Sequence, residues 1–138
     1  MKKRLFFSFL VAFIIGIAVA PSTFANPIEV QFTTIEEYKA IKDQSVLIDV
    51  RSIYSREGSK RGVAGAIWVD PHSGADLETF MKYQDKGYNY IIFCSCVDDN
   101  YSIRAAQILT KNEFQHVSVL KGGWDAINDN GIETMSIE

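Results

Sequence analysis

The sequence predicts an α/β domain: a mostly parallel sheet with helices on both faces. Three observations predict it. Four segments read as short apolar runs, as strands buried on both faces do. Segments with helical spacing alternate with them, and that alternation builds parallel sheets. The 138 residues leave room for one domain and little else.

The chain opens on Met1-Lys2-Lys3-Arg4, a basic start, followed by a charge-free apolar run from Leu5 to Ala20. Thr23 and Ala25 place small residues where a signal peptidase reads. This predicts an export signal over residues 1–25, cleaved after Ala25. The run is short for a membrane span, which needs about 20 residues; an uncleaved anchor is the alternative. The domain then occupies residues 26–138, in the periplasm or secreted. The whole chain carries 14 basic and 17 acidic groups, a net charge of −3. Losing Lys2, Lys3 and Arg4 leaves 11 against 17, a charge of −6. An acidic domain has no basic stripe for nucleic acid. After cleavage, no membrane association is expected.

Thr34-Ile35-Glu36-Glu37 has capping-box spacing and predicts a helix over 35–42. Val46-Leu47-Ile48-Asp49-Val50 is an apolar run with one acid, a buried strand. Arg51 to Gly62 reads as polar and irregular. Ala66-Ile67-Trp68-Val69 is a second strand, ended by Pro71. Leu77, Phe80 and Met81 share a helical face, giving a helix over 75–83. Tyr90-Ile91-Ile92-Phe93-Cys94 is the third strand. Ser102 is a candidate N-cap for a helix over 102–112, with Ile103, Ala106, Ile108 and Leu109 on its apolar side. Val117-Ser118-Val119-Leu120 is the fourth strand. Gly122-Gly123 turns the chain into a helix over 124–128, stopped by Asn130-Gly131.

In such folds ligands bind beyond the carboxyl ends of strands. Both cysteines, Cys94 and Cys96, sit there, on a loop entering a helix. Backbone N–H groups of the loop and first helical turn converge on an anion, and the same field stabilises a thiolate. The candidate site is therefore Cys96 or Cys94 as nucleophile. Ser95, Val97, Asp98, Asp99, Asn100, Tyr101 and Ser102 line it, with Arg51 or Arg104 as a compensating charge. Two acids oppose the helix. One about 7 Å away, at an effective dielectric of about 40, costs the thiolate roughly 1 kcal/mol. The helix terminus returns a similar amount.

The chain resembles a rhodanese-like domain. Leu47-Ile48-Asp49-Val50-Arg51 is similar to that family's opening strand, and Gly62-Val63-Ala64-Gly65-Ala66-Ile67 to its Gly-His-Ile-Pro-Gly-Ala segment. Ser102 to Leu109 resembles the helix after the active loop, and Phe114 to Trp124 the closing motif. Cys94-Ser95-Cys96 is similar to a subgroup reading Cys-x-Cys-Pro-x-Glu-x-x-Ser, with Val97 for Pro and Asp99 for Glu. The resemblance implies a five-stranded parallel sheet and a cysteine that carries a persulfide. Counting back from the helix places that cysteine at Cys96; counting forward from the strand places it at Cys94. Family members that use thiosulfate often carry a basic residue and Gly in this loop, where this chain has Asp98 and Asp99.

The expected function is an exported sulfurtransferase that takes sulfur from a small donor and passes it to a thiol acceptor, with no cofactor. The alternatives are a non-catalytic module that binds a protein partner, and a Cys-x-Cys thiol–disulfide protein. Residues i and i+2 of a strand lie about 6.5 Å apart on one face, nearly bridgeable by a disulfide. Other residues have plainer readings. Cys94 closes a buried strand and suits a core position. Asp49 and Arg51 suit loop-fixing hydrogen bonds, Gly122 and Gly123 a tight turn, and Trp124 a core contact. His72 and His116 are single and distant, and suggest no metal site.

Overall fold

The computed structural model describes residues 27–137. The export signal expected over residues 1–25 lies outside them. The strands are β1 (Gln31–Thr33), β2 (Ser45–Asp49), β3 (Arg61–Val63), β4 (Ile67–Trp68), β5 (Asn89–Phe93), β6 (His116–Leu120) and β7 (Thr134–Ser136). The α-helices are α1 (Ile35–Ile41), α2 (Ile53–Ser59), α3 (Gly74–Tyr83), α4 (Asn100–Lys111) and α5 (Gly123–Asp129).

Five strands form one sheet in the order β1-β6-β5-β2-β4, every pair parallel. β3 and β7 form a separate antiparallel ribbon, with Gly62 opposite Met135. The sheet is covered on both faces, and the period of two along β5 shows how. Tyr90, Ile92 and Cys94 enter one core with Phe80 of α3 and Ala106 and Leu109 of α4. Ile91 and Phe93 enter the other with Ile35 and Tyr38 of α1 and Trp124 and Ile127 of α5. A strand that faces two cores must be apolar at every position, which is why its sequence does not alternate.

The capping box closes as the spacing requires. Thr34 Oγ1 accepts the Glu37 N–H at 3.2 Å, and Glu37 Oε2 accepts the Thr34 N–H at 2.7 Å. Two expectations are corrected. The segment from Arg51 to Gly62 is not irregular; it holds α2 and most of β3. No residue of α2 is buried, so it has no apolar stripe for periodicity to reveal. Ser52 caps it by accepting the Ser55 N–H. Ser102 is not an N-cap. Helix α4 starts two residues earlier, at Asn100, behind Asp99 in the left-handed conformation (φ 54°). The Ile103 N–H reaches the Asp99 carbonyl at 2.9 Å, which leaves Ser102 inside the first turn and fully buried.

Candidate active site

The loop from Cys94 to Asp99 leaves the carboxyl end of the central strand β5 and enters α4. Its two cysteines lie in different surroundings. Cys94 is 0% exposed, its side chain packed with Ile92, Ala106 and Val119 in one core. Its carbonyl accepts the Trp124 N–H at 2.8 Å. A Cβ built on Gly123 would collide with that carbonyl oxygen, and Gly123 has φ +49°. Glycine is therefore required here both for backbone angle and for closeness of approach.

Cys96 is partly buried and rests against the edge of the same core. Its N–H points at the Cys94 sulfur, 3.4 Å away. Both cysteines are free thiols. The Cys96 thiol is pushed up from 9.0 to about 11. Burial is the largest cause, and the neighbouring Cys94 thiol adds to it. The backbone N–H groups of Tyr101 and of Cys96 itself act in the opposite direction. Tyr101 lies in the first turn of α4, so the helix mouth does reach this sulfur, but desolvation outweighs it. At neutral pH about one thiol in ten thousand is ionised.

The rest of the loop divides between solvent and tethers. Ser95 is exposed, and Val97 at the tip is exposed along its whole side chain. Asn100 Nδ2 donates to Asp98 Oδ2. The Asp99 carboxyl is held above its ordinary range by burial; the Gly122 N–H opposes that and the Asp98 charge adds to it. Asp99 Oδ1 and Ser102 Oγ are buried without a hydrogen-bond partner among the described residues.

The two candidate arginines part company. Arg51 is 0% exposed. Its Nε and Nη2 grip Asp49, Nη1 donates to Ser59 Oγ, and Nη2 also donates to the Arg61 carbonyl. Its guanidinium lies 3.7 Å from the Trp124 ring centroid. These ties fasten β2 to the start of the ribbon and leave Arg51 no face for a ligand at the thiol. Arg104, on the exposed side of α4, lines a cavity of about 260 Å³ between α4 and the segment joining β4 to α3. His72 belongs to this cavity too, meeting Tyr101 edge to face at 5.2 Å. Nothing local in the sequence marks His72. Only the pairing of β4 beside β2, and β2 beside β5, carries it to α4. Among the described residues, no group of three His, Cys, Asp or Glu side chains is placed to hold a metal.

Comparison with known proteins agrees with this architecture. The model of the rhodanese-like domain matches residues 34–130. The Alr3790 protein from Anabaena sp. superposes with a TM-score of 0.65 at 20% identity, over 76% of this chain and 82% of that one. A rhodanese-related protein from Thermoplasma volcanium gives 0.62 at 15% identity, over 76% and 97%. The BH2092 protein from Bacillus halodurans gives 0.63 at 20%, over 77% of each. Identities this low speak for the fold alone. No curated protein matches the chain. The family match spans most of the described domain, including the loop between β5 and α4 and the glycine turn packed against it, and so the chain belongs to the rhodanese-like domain family, within the sulfurtransferase superfamily.

Proposed function

We propose that the chain is a sulfur carrier that holds sulfane sulfur on Cys96 as a persulfide and passes it to a thiol. One observation supports this: the Cys96 sulfur lies on the loop from the carboxyl end of the central strand into α4, where the Tyr101 N–H of that helix's first turn favours its charged form. In the first step the Cys96 thiolate attacks the outer sulfur of a donor. The donor's S–S bond breaks and the rest of the donor leaves with the electron pair. The product is a persulfide whose terminal charge the loop amides can hold. In the second step an acceptor thiolate takes the outer sulfur and Cys96 leaves as thiolate. A thiol near 11 is a strong nucleophile but a scarce one, and a poor leaving group. Both facts favour a slow carrier over a fast catalyst. The acids at 98 and 99 favour a donor of lower negative charge, such as an organic hydropersulfide (R–S–SH), over the dianion thiosulfate. The export signal expected over residues 1–25 supports a periplasmic or secreted setting for this chemistry.

The test is direct. Reduced protein is incubated with an organic hydropersulfide and weighed. The expected product is heavier by one sulfur atom, and Cys96→Ser abolishes it. Wild type that gains no mass would end this reading. It would favour a non-catalytic binding module, for which fully exposed Val97, beside the Asp98 carboxylate, is the supporting observation.

A further inference from the structure

The cavity beside α4 adjoins the cysteine loop through one residue. Tyr101 and Cys96 pack against the same core, the Tyr101 N–H favours the Cys96 thiolate, and Tyr101 also lines the cavity, its ring edge to face with His72 at an interplanar angle of 82°. The floor is apolar, formed by Val69, Leu77 and Ile108. The cavity is also lined by one cation, Arg104, and one anion, Asp70. Among the described residues, neither forms an ion pair with the other or with any charged group. Asp70 Oδ1 accepts the His72 N–H at 2.9 Å, and among the described residues no hydrogen bond engages Oδ2. The volume, about 260 Å³, admits a molecule the size of an amino acid, and a half-apolar lining with a few polar groups is the usual make-up of a small-molecule site.

An unpaired guanidinium and an unpaired carboxylate around an apolar floor match a ligand that carries both charges. A simple carboxylate would meet Asp70 unfavourably, and a simple amine would meet Arg104. We propose that this cavity binds a small zwitterionic amino acid bearing a thiol, its carboxylate on Arg104 and its ammonium on Asp70. This deepens the sulfur-carrier reading and rests on it: the ligand is the acceptor. Its thiolate takes the outer sulfur of the Cys96 persulfide, the S–S bond to Cys96 breaks, and Cys96 departs with the electron pair.

The binding half is tested with no sulfur donor present. The probe is S-methyl-L-cysteine, which has the two charges and the size but cannot react. It is titrated into the ¹⁵N-labelled full chain and followed by amide shifts. Saturable shifts are expected at Ser73, Leu77, Tyr101 and Ile108. Arg104→Gln and Asp70→Asn should each weaken binding about fivefold, the upper range for an exposed charge pair. 3-(Methylthio)propionate, which lacks the ammonium, should bind more weakly by a similar factor. No saturable shift at these amides, or equal binding of the two probes, overturns the proposal. Sulfur uptake by mass is read separately. A chain that binds the probe but takes up no sulfur retains the amino-acid site and loses only its role as acceptor site. A chain that takes up sulfur but ignores the probe loses the site and keeps the carrier.

Discussion

The carbonyl oxygen of Cys94 accepts the backbone N–H of Trp124 at 2.8 Å, beside Gly123, the residue on which α5 begins. The start of the cysteine loop is thus fastened to the last helix, and the closeness of that junction is set by an absent side chain.

Gly123→Ala should be among the most damaging single-methyl changes in the chain. The new Cβ would meet the Cys94 carbonyl, at a backbone angle that L-residues adopt at a cost. We expect a loss of about 2 kcal/mol or more, read as a lower denaturation midpoint in urea. A change below about 0.5 kcal/mol, the scale of an inert surface substitution, would show that the junction yields freely.

Arg51→Lys is a second stability probe. Lysine keeps the charge but cannot reproduce the two-pronged grip on Asp49, the bond to Ser59 and the stack on Trp124. Leaving Asp49 half-paired inside the protein should cost about 3 kcal/mol. Wild-type stability in chemical denaturation would contradict the buried tie described above.

The Cys96 thiol gives a pH dependence with a definite sign. Its folded value is about 11, against an ordinary 9.0. The unfolded chain releases this proton first, so the group's contribution to stability is complete below about 9 and is lost as pH rises toward about 11. Alkylation by iodoacetamide should accelerate about tenfold per pH unit between 7 and 10, following the thiolate. Cys94→Ala removes one of the causes and should move the alkylation midpoint to lower pH, at a cost of about 1 kcal/mol for the lost core atom. A rate that levels off near pH 8 would refute the assignment.

Asp98→Asn tests the loop charge. It removes one negative group on the thiol loop, and it relieves one of the causes that raise the Asp99 carboxyl. Thiosulfate, as the sulfur donor, should gain about fivefold in uptake rate, in line with roughly 1 kcal/mol of repulsion, whereas an organic hydropersulfide, which carries less charge, should gain less. Equal gains for both donors would point to a change in loop shape instead.

Much of the fold was legible because burial on two faces leaves a plain mark: β2, β5 and β6 are apolar runs, and the capping box at Thr34 announces α1. What escaped has equally physical causes. β1 and β7 are three residues each, too short for a pattern, and α2 buries no residue at all. Ser102 has the right chemistry for a cap, but the fold starts the helix earlier by putting Asp99 in a left-handed turn. In the site, the cysteine loop could be read from its place between a strand and a helix. The reach of each arginine could not, because burial of Arg51 depends on Ser59, Arg61 and Trp124, which only the folded chain assembles. The same holds for Asp70 and His72, whose nearness to α4 follows from strand order.

The outermost strands of the main sheet, β1 and β4, span three and two residues. Rims this brief present almost no open ladder for a neighbouring molecule to extend. A chain with so apolar a sheet would otherwise invite stacking into aggregates whenever many copies fold side by side, and the stunted margins give it a built-in defence at the moment it is most vulnerable.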